Sequence, residues 1–123
     1  MKILKLILPL FIMSFFSLQC KSKTEARFLI VNSSRADIDS LIIYPNDKIF
    51  VTLKEGDSLT YYSNMTNLPK VDGAYLLSFK QKNTAQLKNY VFGYYSNGFP
   101  VEKETRIEIL TDTFLINQYY GNY

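Results

Sequence analysis

At 123 residues the chain has room for one self-sufficient core, and its lack of histidine removes the commonest general base and the commonest zinc ligand. Its single cysteine, Cys20, has no partner for an intrachain disulfide, and serine-histidine and cysteine-histidine mechanisms are excluded. The formal charge is +3, but residues 20–123 carry twelve basic and eleven acidic side chains, with Lys48, Lys54, Lys70, Lys80, Lys82, Lys88 and Lys103 spread singly among carboxylates, so nucleic acid is not an expected partner.

The first twenty residues set the address. Lys2 and Lys5 precede an uncharged apolar run from Leu6 to Leu18, with Cys20 directly behind it. A basic start, a short apolar stretch and a processing position describe a secretory signal peptide. As a helix, Leu6 to Gln19 would extend only about 21 Å, short of the ~30 Å hydrocarbon core, so this segment is read as targeting rather than spanning. The positive charge at its start keeps that end cytoplasmic and sends the chain beyond Cys20 across.

On Ser17-Leu18-Gln19-Cys20 the chain resembles a bacterial lipoprotein precursor, with Ser17 and Gln19 standing where that family usually has leucine and a small residue. The resemblance is confined to this region. It implies that the Cys20 thiol receives a diacylglyceryl group, that cleavage falls before Cys20, and that the new amino terminus is acylated, with palmitate as a typical chain. Lys21 occupies the place where an aspartate often retains such proteins at the inner membrane of enteric bacteria. The resemblance therefore implies a protein lipid-anchored in the cell envelope, at the outer membrane facing the periplasm.

The expected organisation is a signal peptide over 1–19, the lipidated cysteine and a short polar tether over 20–25, and one β-domain over 26–123. Arg27 to Val31 is a continuous apolar run that reads as a strand buried on both faces, ending at Asn32-Ser33-Ser34. Ile38 to Tyr44 follows and stops at Pro45-Asn46-Asp47, where proline removes a ladder donor. Ile49 to Leu53 alternates and breaks at Lys54-Glu55-Gly56-Asp57, and Ser58 to Tyr62 comes next. Asn64 to Asp72 is the longest irregular stretch, with room for a helical turn. Ala74 to Lys80 shows the clearest period of two, with Tyr75, Leu77 and Phe79 on one face and Ser78 and Lys80 on the other. Leu87 to Tyr95 leads into Ser96-Asn97-Gly98, and Asn-Gly supplies the positive φ angles of a tight hairpin. Thr105 to Thr111 and Phe114 to Gln118 form a hairpin about Asp112, with Ile107 and Ile109 inward and Arg106 and Glu108 outward.

Seven or eight short strands with no long 3.6-residue apolar period predict an all-β fold. The expected architecture is a two-sheet antiparallel β-sandwich, immunoglobulin-like or transthyretin-like, rather than a closed barrel. The segment Leu68-Pro69-Lys70-Val71-Asp72-Gly73-Ala74-Tyr75 is similar to the corner of immunoglobulin and fibronectin-type sandwiches, which implies a Tyr75 hydroxyl bonded back to upstream backbone.

Chemical signatures are few. Gly56, Gly73, Gly93, Gly98 and Gly121 are isolated, so no phosphate-cradling loop is present. Asp37 and Asp39 would face one way within a strand and so bear on a calcium site or, with a distant acid, a glycosidic bond. A hard cation needs six to eight oxygens, however, and a solvated turn and strand edge is the simpler reading. Glu102, Glu104 and Glu108 interleave with Lys103 and Arg106 as a solvated strand face. No catalytic residue, cofactor or metal site is expected.

Tyrosine is the outstanding residue type, with ten, all after the leader and in doublets at Tyr61-Tyr62, Tyr94-Tyr95 and Tyr119-Tyr120. Neighbours in a strand point to opposite faces, so each doublet should give one ring to the core and one to the other face. Tyr94 and Tyr95 beside Asn97 form the preferred binding spot. The expected function is a non-catalytic, lipid-anchored binding or scaffolding module, tied to the membrane through Cys20 and to a protein partner in the envelope. The alternative is a glycan- or small-ligand-binding protein using the tyrosine-rich surface. A carboxylate-dependent glycosidase ranks last.

Overall fold

Alternation of apolar and polar side chains produces nine strands and no helix among the residues that the computed structural model describes, which are 24–45, 51–84 and 86–121. The leader, Cys20 and Lys21 lie outside the described residues, as do Ile49 and Phe50 of the third expected strand. The strands are β1 (Glu25–Asn32), β2 (Ile38–Tyr44), β3 (Val51–Leu53), β4 (Ser58–Asn64), β5 (Gly73–Gln81), β6 (Leu87–Ser96), β7 (Phe99–Pro100), β8 (Glu104–Ile109) and β9 (Phe114–Tyr119). They form a two-sheet β-sandwich. Sheet one has the order β4-β1-β8-β9 and sheet two the order β3-β2-β5-β6-β7. Every described pairing is antiparallel except β1 with β8, where Phe28 lies opposite Thr105 and Ile30 opposite Ile107.

The period of two decides what is buried. From β1 come Ala26, Phe28 and Ile30, from β5 Tyr75, Leu77 and Phe79, from β8 Ile107 and Ile109, and all are buried between the sheets. Arg106 and Glu108 take the outer face as expected. Leu29 and Val31 depart from the sequence reading, since each is only half-buried. Apolar on both faces, β1 is nonetheless covered on one, because among the described residues no further layer packs over sheet one.

Aromatic rings knit the middle of the core. The Phe28 ring meets Tyr75 edge-on at 5.0 Å between centroids and Phe92 at 5.8 Å, and stacks with Tyr61 at 6.1 Å. Such arrangements match the ring quadrupoles and add about 0.5–1.5 kcal/mol per pair beyond area burial. The Tyr75 hydroxyl meets the Met65 sulfur at 3.5 Å. It does not reach back to upstream backbone, so the expected corner bond is replaced by a soft contact ten residues upstream.

Burial pushes the Tyr75 hydroxyl well above the ordinary tyrosine value of 10.0, and the negative charge of Glu102 pushes the same way. The native state then holds a proton that the unfolded chain releases near pH 10, so this contribution is intact below about pH 10 and is lost as pH rises further. Tyr75→Phe should flatten the fall in stability above pH 10, measured by urea denaturation at a series of alkaline pH values.

Positive-φ residues shape sheet two at the β6–β7 turn and within β6. Asn97 (φ 51°) and Gly98 (φ 75°) close the β6–β7 hairpin as a two-residue turn, with Ser96 opposite Phe99. Gly93 (φ 62°) lies where the β5–β6 register shifts, and a Cβ there would come within 2.8 Å of the Tyr75 ring. A left-handed bulge residue and a ring packed on its bare Cα explain why that position carries glycine.

At the far end of β1, the fully buried Asn32 uses its whole hydrogen-bonding capacity. Its Nδ2 donates to Ala36 O (2.9 Å) and Leu53 O (3.0 Å), and its Oδ1 accepts from Ser34 N (3.1 Å) and Ser34 Oγ (2.6 Å). Its backbone N–H donates to Asp57 O and its carbonyl accepts from Gly56 N, each at 2.9 Å. The side chain thus joins the β1–β2 loop to β3, and the backbone of the same residue ties in the turn before β4.

Candidate functional site

The hairpin end of β6 places Tyr94 and Asn97 together and sends Tyr95 elsewhere. Tyr95 is half-buried, its ring 5.4 Å from that of Tyr75, and it lies over Gly73, where a Cβ would run into its hydroxyl. Tyr94 is exposed and its hydroxyl bonds to the Asp72 carboxylate. Asp72 also accepts from Asn97 N (2.8 Å) and Ser96 Oγ (3.1 Å). These donors, led by the Asn97 N–H, hold the Asp72 carboxyl below its usual 3.8, and the same Asp72 bond raises the Tyr94 hydroxyl. Asp72 fastens the turn, which stands beside Lys70: Gly98 N donates to Val71 O at 3.0 Å.

The other doublets differ. Tyr61 packs toward the core while Tyr62 is exposed, as alternation requires, but Tyr119 and Tyr120 are both exposed because Tyr120 lies beyond the end of β9. On the outer face of sheet one the register lines up Tyr62, Arg27, Glu104 and Tyr119 across all four strands. Arg27 Nε is 3.0 Å from Glu104 Oε2, and its guanidinium stands 5.8 Å from the Tyr62 ring centroid. An ion pair flanked by two exposed rings offers both stacking and hydrogen-bonding groups.

The carboxylates do not converge. Asp37 Oδ1 accepts from Glu55 N at 3.0 Å, while Asp39 Oδ1 accepts from Thr52 Oγ1 at 3.2 Å and sits opposite Lys80. Glu108 accepts from Ser33 Oγ at 2.8 Å. Among the described residues no group of three or more cysteines, aspartates or glutamates is placed to hold a metal ion.

Glu102 overturns its sequence reading as part of a solvated strand face. It precedes β8, in the link from β7, and is buried. Its Oε1 accepts from Tyr94 N (3.1 Å) on β6 and Gln118 Nε2 (2.7 Å) on β9, tying the two sheets together, while its buried Oε2 has no hydrogen-bond partner. Glu102→Gln should hold stability within about 2 kcal/mol, since the amide oxygen keeps both bonds and the buried negative charge is removed, although the amide Nε2 inherits the unpartnered position of Oε2. Glu102→Ala should cost about 2–4 kcal/mol by stranding two donors, and equilibrium urea unfolding of both variants checks the contrast. Neither Asp72 nor Glu102 carries a local sequence signal, because their partners are 8 to 25 residues away in the chain.

The sheet edges differ as well. Sheet two ends in the three-residue β3 and the two-residue β7, the latter containing Pro100, whereas sheet one ends in β4 (SLTYYSN) and β9 (FLINQY). Both β4 and β9 are without charge or proline, the devices that usually blunt an open edge. No protein-family model, no curated protein and no solved structure matches the chain.

Proposed function

We propose that the chain is the precursor of a lipid-anchored cell-envelope protein whose β-sandwich serves as a non-catalytic binding or scaffolding module, held at the outer membrane on its periplasmic side. The observation that carries this reading is the position of Cys20, directly behind the apolar run and five residues before β1. The uncharged edges of β4 and β9 support a protein partner, since an open strand edge accepts an extended segment through main-chain hydrogen bonds. Cys20→Ala should move the protein from the membrane fraction to the soluble fraction. Mass spectrometry of the native amino terminus should find a diacylated or triacylated Cys20. Unchanged partitioning, or an unmodified leader, would count against the reading. Crosslinking in intact cells, followed by purification in detergent, identifies the partner.

The row of Tyr62, Arg27, Glu104 and Tyr119 favours one second reading, a glycan- or small-ligand-binding surface. Tyrosine ring perturbations on titration with cell-wall sugar fragments, confined to Tyr62 and Tyr119, would support it.

A further inference from the structure

All six exposed aromatic side chains among the described residues lie toward one end of the sandwich. β1 and β8 begin at this end and β4 and β9 finish there, as their registers require. It therefore carries Tyr62 near the end of β4, Tyr119 at the end of β9, and Tyr120 beyond it. In sheet two, β5 begins at the same end, because the link 65–72 joins it to β4, and β2 and β6 finish there. That places Tyr44, Tyr94 and Phe99 alongside. Val71 on link 65–72 adds an aliphatic group, exposed by 56%, to Tyr62, Tyr119 and Tyr120 at 53, 51 and 58%.

Cations stand beside these rings. Arg27 lies over Tyr62 and Lys70 Nζ is 5.1 Å from the Phe99 ring centroid, while a backbone bond from Lys103 N to Tyr119 O at 2.8 Å brings a third cationic residue to this end. Of the acids at this end among the described residues, Glu104 is paired with Arg27, Asp72 is occupied by the hairpin, Glu102 is buried, and Glu25 is exposed. The opposite end is built from the links 33–37, 54–57 and 110–113 and the β5–β6 link. The described side chains of those links are mainly short, polar or charged, and the exposed apolar groups near them, Leu87 and Leu115, are aliphatic, with no exposed aromatic.

Tyrosine and phenylalanine rings interspersed with lysine and arginine are the composition that settles at a membrane–water interface, where a ring is half in apolar and half in wet surroundings and a long cationic chain reaches the headgroups. Chain length supplies the second argument. Five residues from Cys20 to Glu25 reach at most about 17 Å, so a lipid on Cys20 delivers this end, and not the polar one, to the bilayer.

We propose that the aromatic end of the sandwich docks on the phospholipid headgroups of the membrane that holds the anchor, a placement that rests on the lipidation of Cys20. The two or three acyl chains on Cys20 hold the protein in the bilayer, and this second contact fixes the orientation of the domain. The outer faces of both sheets, and the edges of β4 and β9, then stand upright from the surface and remain open to a partner.

The chain contains no tryptophan, so single substitutions report position without background. The lipidated full chain, carrying Tyr62→Trp, Phe99→Trp or Tyr119→Trp, is reconstituted into vesicles of phosphatidylethanolamine and phosphatidylglycerol in equal parts, with Leu87→Trp and Leu115→Trp as far-end controls. Far-UV circular dichroism of each variant is compared with the parent. Docking predicts blue-shifted emission at the first three positions and loss of most of it to lipids brominated near the glycerol backbone, with water-like, unquenched emission at the controls. Protein that floats with the vesicles while all five reporters stay water-like overturns the docking and leaves the anchor standing. A blue shift that grows with protein concentration and ignores the bromines assigns this end to a second copy and also overturns it. Failure to float overturns the anchor itself, and the docking with it.

Discussion

Replacing Phe28 with alanine is expected to destabilise the domain by about 3–5 kcal/mol, a large fraction of the 5–15 kcal/mol typical of a whole domain. Phe28 projects from a central strand of sheet one and its ring touches rings from three other strands: Tyr61 of β4, Tyr75 of β5 and Phe92 of β6. Alanine removes the apolar area and leaves a cavity that these rings cannot fill, because Tyr75 is pinned by Gly93 beneath it and Met65 at its hydroxyl. Urea unfolding should show the loss as a lower midpoint with an unchanged slope. Phe28→Leu should cost markedly less, since it retains most of the volume while losing the edge-on contacts.

Asn32→Ala should rank next, at about 2–5 kcal/mol, although it removes few atoms. The loss would strand the Ser34 N–H and the Leu53 carbonyl, while Ala36 O keeps the Ser34 hydroxyl at 2.9 Å, and each unsatisfied buried group costs about 1–3 kcal/mol, partly relieved by water reaching this end of the sandwich. Asn32→Asp should also destabilise, because a carboxylate cannot donate to the two carbonyls that Nδ2 now serves. Hydrogen exchange adds a spatial check: loss of protection should concentrate in β3, the link 33–37 and the turn at 54–57, leaving the aromatic end protected.

The alternation in Ala74 to Lys80 and in Thr105 to Thr111 was sufficient to place β5 and β8 and to name the faces of Tyr75, Leu77, Phe79, Ile107 and Ile109. The Asn97-Gly98 turn was legible for the same reason, a local one: two positive φ angles are set by the residues themselves. The two-residue β7 was missed because Phe99 and Pro100 gain their strand geometry from β6. The half-burial of Leu29 and Val31 was misread because a run apolar on both sides does not say whether a second layer exists. Cross-chain chemistry was the least legible. The Asp72 bonds to the hairpin, the Glu102 link between sheets and the row from Tyr62 to Tyr119 join residues that only strand order brings together. Tyr94, Tyr95 and Asn97 were adjacent on paper, yet the strand pleat divides the two rings between surface and core.

The parallel ladder between β1 and β8 has a consequence for biogenesis. The earliest strand to be synthesised lies in the interior of its sheet, and one of its two neighbours, joined through Phe28 and Thr105, is 77 positions later. Long separations of this kind delay closure, since loop entropy is lost before the pairing rewards it. Until the last quarter of the polypeptide has been made, Phe28 and Ile30 have no complete sheet to join, so closure of the core waits on the arrival of β8.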